Sequence, residues 1–262
     1  MMSCAGNKYV KTPAMDYIAN NGIRFTRAYT TNPVCSPARV SLMTGRFPGY
    51  FKDSTGQQVR ENAGSMMIPE VSKVVESNTI AAYLKDAGYD LAFGGKEHLP
   101  PSLSPKALGF INIASDERDV LAEKAAKYIS QDHTKPYFMT VSLINPHDIC
   151  FMAIRDFAES EQAKGILKHG KTEITTLDEA LKLPSGVGKD EFFAEHCPPL
   201  PPNFEPQKNE PKAISALLEA RSFRISARKK YTKEQWRMHR WAYARLTEKV
   251  DGQIQVILDA LK

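Results

Sequence analysis

Tyr137-Phe138-Met139-Thr140-Val141-Ser142-Leu143-Ile144, followed at once by Asn145-Pro146-His147-Asp148, is the stretch on which the fold turns. The first part is almost continuously apolar, the pattern of a central strand in a parallel sheet that is buried on both faces. Before it, Asp116 to Gln131 spaces Val120, Leu121, Ala125, Tyr128 and Ile129 along one side of an amphipathic helix. Further upstream, Ile80, Tyr83, Leu84 and Ala87 give Thr79–Ala87 helical spacing, closed by Gly88. Tyr89–Phe93 then reads as a short strand. Helices alternating with apolar strands predict an α/β fold with a largely parallel sheet. In such sheets ligands sit beyond the carboxyl ends of the strands. Two loops belong there, Gly94-Gly95-Lys96-Glu97-His98 and Asn145–Asp148. Each brings a histidine, and the first also brings a lysine.

Nearer the start, Ala14–Asn21 reads as a short helix stopped by Gly22, and Ile23–Tyr29 alternates like a short strand. Asn32-Pro33-Val34-Cys35-Ser36-Pro37 reads as a loop entering a helix. Ser36 is its expected N-cap, Pro37 its first residue and Gly45 its stop. Tyr50–Ser77 reads as an irregular polar excursion. Phe151–Leu183 is expected to be a helical insertion, and the proline-rich Cys197–Pro211 an extended connection. Tyr231–Leu261 closes with one or two helices carrying Trp236, Trp241, Leu246, Val250, Ile254 and Leu258. There are no internal repeats.

The composition is that of a globular protein: 42% hydrophobic and 25% charged over 262 residues, with a net charge of +5. Cys4, Cys35, Cys150 and Cys197 have no CxxC spacing, which argues against a zinc ribbon or a thioredoxin-like site. A single bridge of the Cys4–Cys197 kind stays open. No apolar run is long enough to span a membrane, so no membrane partner is expected. Met1 leads straight into polar residues and no signal peptide is read there, though a truncated start would remove one. Arg221, Arg224, Arg228, Lys229 and Lys230 read as a solvated helix face, because no aromatic interleaving accompanies them; no nucleic-acid partner is expected. His133, His169, His196 and His239 have no motif around them.

Cys35 stands where a helix begins. A helix N-terminus offers unpaired N–H groups and partial positive charge, an anion site that also favours a thiolate. Arg39 lies on the same helix, close enough to reach back toward Cys35. By itself such a pair is usually a small buried residue and a surface charge. The surrounding string is more specific. Cys35-Ser36-Pro37-Ala38-Arg39, followed by Leu42-Met43-Thr44-Gly45-Arg46, resembles the signature of the sulfatases, C-x-P-x-R and then L-x-T-G-R. Ala38 stands where many members have serine. Lys11-Thr12-Pro13, Gly22-Ile23-Arg24-Phe25-Thr26, Gly95-Lys96-Glu97-His98 and Pro136–Asp148 resemble further segments of that family, in the same order.

The resemblance implies a three-layer α/β/α sandwich of the alkaline-phosphatase-like kind, incomplete, with residues 1–262 forming part of an N-terminal catalytic domain. It implies a sulfuric ester hydrolase acting on an aryl or glycan sulfate. Cys35 would be oxidised to formylglycine by a separate formylglycine-generating enzyme, and its hydrated aldehyde would be the nucleophile. Arg39 would hold the diol, Lys96 the sulfate oxygens, His98 would act as base, and His147 would face the leaving oxygen. A calcium ion would bind sulfate and the residue 35 oxygen, with Cys35 the only part of that metal site recognisable here. A periplasmic or secreted location follows from the family alone.

Family members carry a strand ending in paired aspartates before this region, and an Asp-His-Gly or Asp-Asn segment after it. Asp16, Asp53 and Asp251 match neither motif. The expectation is therefore a chain that is inactive alone and leaves apolar surface exposed. Alternatives are a phosphonate or phosphate ester hydrolase of the same superfamily, a non-catalytic remnant that binds sulfated glycans, and, more weakly, a redox role for Cys35.

Overall fold

The computed structural model describes residues 2–52, 56, 68, 70–115 and 118–262. Three parallel strands form its sheet, β1 (Asp90–Gly95), β2 (Ile111–Ala114) and β3 (Tyr137–Ser142), in the order β2-β1-β3. The helices used below are α1 (Pro13–Asn21), α2 (Cys35–Thr44), α3 (Ile80–Asp86), α4 (Leu121–Ile129), α5 (Cys150–Asp156), α6 (Glu161–His169), α7 (Lys171–Leu181), α8 (Lys212–Glu219), α9 (Ser222–Lys230) and α10 (Lys233–Ala260).

The chain divides into two compact units. One contains residues 23–144 with 256–262, the other residues 1–22 with 145–255. The first holds the sheet. Successive side chains of a strand point to opposite faces, and β1 shows both. Leu91 and Phe93 pack with Met43 of α2, Ala81 of α3 and Phe110. On the other face, a Cβ at Gly94 would lie 2.6 Å from Leu121 Cδ1 at the start of α4. Helix, sheet and helix therefore form three layers, the α/β/α arrangement expected. α3 starts as its sequence predicts, with Thr79 Oγ1 accepting from the Ala82 N–H at 3.2 Å.

Strand order differs from expectation. β1, not β3, lies in the middle, paired with β3 from Asp90↔Tyr137 to Gly95↔Ser142 and with β2 from Ala92↔Ile111. β3 lies at the edge among the described residues and is half-buried along most of its length. An apolar run reports burial, not which strand has two neighbours. Gly94 and Gly95, expected in a loop, extend β1. Residues 23–29 keep their alternation but run as an irregular segment, with Ile23, Phe25 and Tyr29 exposed by 83%, 77% and 88%. Alternation makes a strand only where a neighbouring backbone takes its hydrogen bonds. Of the excursion expected at 50–77, residues 53–55, 57–67 and 69 lie outside the described residues. At the near edge stands a single turn, Pro48–Tyr50, and at the far edge a short helix, Lys73–Glu76. The helix expected from 116 begins at Leu121, and residues 116 and 117 lie outside the described residues.

The second unit is helical. Phe151 and Met152 of α5, Leu177 and Ala180 of α7, Ala227 of α9, Tyr231, and Ala242 and Leu246 of α10 make its core. Its carboxylates have structural partners. Asp251, 2% exposed on α10, accepts from the N–H groups of Ala14 and Met15 at 3.1 and 2.8 Å and so caps α1. Asp16 accepts from Ser3 Oγ and the Cys4 N–H, both at 2.8 Å. The basic helix α9 is tied to acids, Arg228 to Glu210 at 2.8 Å and Lys230 to Glu159 at 3.3 Å. All four cysteines are free thiols, so no Cys4–Cys197 bridge forms. No described helix is long and apolar enough to cross a membrane.

Gly95 has φ +90°, and a Cβ there would sit 2.4 Å from the Ser142 carbonyl oxygen. Both backbone strain and a clash with backbone follow. Gly95→Ala is expected to lower unfolding free energy by about 2 kcal/mol or more, read from the urea midpoint. A loss within experimental error would show that the close approach is not rigid.

Candidate active site

α2 starts two residues earlier than its sequence suggests. Val34, in extended backbone, is the N-cap, and Cys35 is the first helical residue. Ser36 is therefore inside the first turn and cannot cap it. Its hydroxyl is fully buried and finds no hydrogen-bond partner. No side chain caps α2, so its first N–H groups, with the helix dipole behind them, converge beside the half-buried Cys35. Gly45 ends the helix as expected, at φ +68° with its N–H donating to the Ser41 carbonyl at 2.8 Å.

Arg39 lies one helical turn after Cys35, on the same side of α2. Its guanidinium reaches to the carboxyl ends of two strands. Nη1 donates to the Lys96 carbonyl at 2.9 Å and to Ser142 Oγ at 2.7 Å. The Lys96 N–H donates in turn to the Ser142 carbonyl at 3.0 Å, carrying the β1–β3 ladder one step past the end of β1. The chain then turns through Glu97 to His98, whose φ of +49° places a non-glycine residue in left-handed backbone. His98 Nδ1 is buried without a hydrogen-bond partner. Burial first, and then the positive charges of Lys96 and Arg39, hold the His98 imidazole below its ordinary pKa of 6.5.

Four of the residues singled out by sequence, Cys35, Arg39, Lys96 and His98, therefore belong to the sheet-bearing unit, and bonds or charge link the last three. His147 opens a single turn, His147–Ile149, five residues past the end of β3, and belongs to the helical unit. Beside it Asp148 is fully buried, its N–H donating to Asn145 Oδ1 at 3.2 Å. Ser142 was missed by sequence reasoning. The available signal was a hydroxyl at the last position of a strand that otherwise runs apolar. Cations and N–H groups suit an anion, and among the described residues no group of three or more potential metal ligands stands at this sheet edge. They do not make a calcium site, which needs several carboxylate or carbonyl oxygens. The one group of potential metal ligands within reach of each other among the described residues is Glu191, Glu195 and His196, all exposed on the helical unit.

The family profile of the sulfatases matches residues 1–262, so this chain belongs to the sulfatase family. It is 28% identical over 171 residues to an N-acetylglucosamine-6-O-sulfatase of Bacteroides thetaiotaomicron, covering 56% of this chain and 28% of that protein. It is 33% identical over 101 residues to an ulvan-active sulfatase of Formosa agariphila, covering 37% of this chain and 17% of that one. Among solved structures, a 2-O GAG sulfatase superposes with a TM-score of 0.65 at 20% identity, over 95% of this chain and 49% of its own. The phosphonate monoester hydrolase of Agrobacterium radiobacter superposes with a TM-score of 0.53 at 17% identity, over 99% of this chain and 56% of its own. These likenesses fix the alkaline-phosphatase-like fold, and the chain spans about half the length of those solved neighbours.

A lowered folded-state pKa means that the unfolded chain takes up the His98 proton first as pH falls. The histidine penalty is absent above about pH 6.5. It grows as pH drops from there toward the lower folded value. Wild type is expected to lose urea resistance through that window, and His98→Gln to lose less of it. His239 on α10, lowered by burial, contributes to the part that remains. Equal slopes for the two proteins would show that His98 is not held neutral by its surroundings.

Proposed function

We propose that this chain is the formylglycine-bearing part of a sulfuric ester hydrolase. The observation that carries the reading is the tie from Arg39, one turn after Cys35, to the strand ends that present Lys96 and His98. It gathers positive charge beside the one residue whose oxidised form supplies a hydrated aldehyde.

In this reading one hydroxyl of the residue 35 gem-diol gives up its proton to solvent and attacks sulfur, and the bond from sulfur to the alcohol oxygen breaks. Arg39 and Lys96 face the sulfate oxygens and balance charge that builds up there, as preorganised donors do in a site shielded from water. The leaving oxygen takes up a proton, the role that the family resemblance gives to His147. The second hydroxyl then gives its proton to His98, the aldehyde C=O re-forms, and the bond from carbon to the sulfate oxygen breaks, releasing sulfate. A base must be unprotonated to act, and the lowered pKa of His98 keeps it so at neutral pH. Cysteine or serine has no second hydroxyl, which is the reason for the modification by a formylglycine-generating enzyme. Calcium, which in the family stabilises sulfate charge, finds no fitting donor set among the described residues, so no step is assigned to it.

The substrate class this reading favours is a sulfated sugar, because an ulvan-active sulfatase and an N-acetylglucosamine-6-O-sulfatase are among its relatives; a small sulfated alcohol is the other class those relatives name, through the steryl-sulfatases. A phosphonate or phosphate ester is the second reading, favoured by the fold shared with the Agrobacterium enzyme.

Two experiments test this. Inorganic sulfate is expected to raise the His98 titration midpoint, read by imidazole NMR, since an anion beside Lys96 and Arg39 favours the protonated ring. Lys96→Ala should remove that response, and an unmoved midpoint in wild type would sink the cradle. For activity, the complete reading frame containing this chain is matured with a formylglycine-generating enzyme and offered aryl sulfate and aryl phosphate. Cys35→Ala should abolish sulfate release, and Arg39→Ala or Lys96→Ala should lower kcat by roughly 10²–10³. Release surviving Cys35→Ala, or faster turnover of the phosphate, would overturn the sulfatase reading.

A further inference from the structure

Ser142 ends β3 and is 9% exposed. Its side chain and its backbone serve two different parts of the site. Oγ accepts from Arg39 Nη1 at 2.7 Å, while the carbonyl accepts from the Lys96 N–H at 3.0 Å. The same Arg39 Nη1 donates to the Lys96 carbonyl at 2.9 Å. Three residues from three elements are thus closed into a ring: Arg39 from α2, Lys96 from the turn after β1, and Ser142 from β3. Every acceptor in that ring is a neutral oxygen. A carboxylate in place of Ser142 would hold the guanidinium as firmly, but it would add a negative charge there. A hydroxyl fixes direction without adding one.

The Gly95 backbone explains why the ring forms here. Its left-handed φ and its missing Cβ let the Ser142 carbonyl approach the end of β1, which brings Ser142 Oγ within reach of α2.

We propose that Ser142 is the positioning residue of this site. It aims the Arg39 guanidinium with its hydroxyl and sets the Lys96 backbone with its carbonyl, so that the two cations face one anion. This rests on the sulfatase reading for its kinetic consequence, though not for its geometry. The hydroxyl's share is removable by mutation and the carbonyl's is not, so Ser142→Ala isolates the Arg39 arm.

The test is a double-mutant cycle on the complete, formylglycine-matured protein, with thermal melting to confirm that each variant folds. Ser142→Ala is expected to lower kcat for an aryl sulfate roughly tenfold, the weight of one hydrogen bond to a charged group, with KM changed less than about twofold. In the Arg39→Ala background the same change should cost almost nothing further, because its target is gone. An equal loss in both backgrounds, or no loss in the first, overturns the proposal. If wild type turns over no sulfate ester, the functional reading is what fails, and Ser142 is then judged by NMR exchange at the Arg39 guanidinium. Slow rotation in wild type that quickens in Ser142→Ala supports the proposal, and unchanged rotation overturns it.

Discussion

The approach of the Gly95 backbone to the Ser142 carbonyl is the constraint on which the site rests. A Cβ at Gly95 would stand 2.4 Å from that oxygen and 2.6 Å from Leu121 Cδ2. With only hydrogen there, β1 and β3 stay in register to their last residues, and Lys96 continues the ladder one bond beyond. Leu121 packs down over the same glycines from α4. The end of the central strand is thus gripped from the side by β3 and from one face by a helix. The turn that follows can then hold His98 in left-handed backbone without drifting.

Positive charge accumulates at this place for reasons that lie on different links of the chain. α2 contributes unpaired N–H groups because Val34 cannot cap it and Ser36 falls inside its first turn. Arg39 contributes its guanidinium because a helical turn sets it beside Cys35. Lys96 and His98 arrive because a parallel strand delivers its following loop to the carboxyl edge of the sheet. Gathering cations is unfavourable in itself, and the lowered pKa of His98 records its burial first and then that cost. The neutral oxygens of Lys96 and Ser142 hold Arg39 in place without adding negative charge of their own.

The carboxylates of the chain give the complementary view. Asp16 and Asp251 stood out in the sequence as candidates without a motif. Asp251 caps α1 from a buried position, and Asp16 secures the turn that precedes that helix. A buried carboxylate that accepts two backbone N–H groups is fully engaged in holding its own unit together. Negative charge is thus used for architecture in the helical unit, and positive charge is gathered at the sheet edge of the other.

Sequence by itself determined the α/β class, because helical and strand periodicities alternate visibly. It determined the family as well, since the string from Cys35 to Arg46 is too long and too ordered to arise from composition. It also marked Cys35, Arg39, Lys96, His98 and His147, each by a motif at the end of a predicted element. Tertiary structure decided the rest. It put β1 rather than β3 at the centre, because strand order depends on which backbones find each other and not on how apolar each strand is. It left residues 23–29 without a ladder, since alternation cannot supply a partner. It began α2 at Cys35 instead of after Ser36, a matter of where the backbone first turns helical. And it revealed Ser142, whose hydroxyl and carbonyl meet groups 103 and 46 residues away along the chain, a separation that no local pattern encodes.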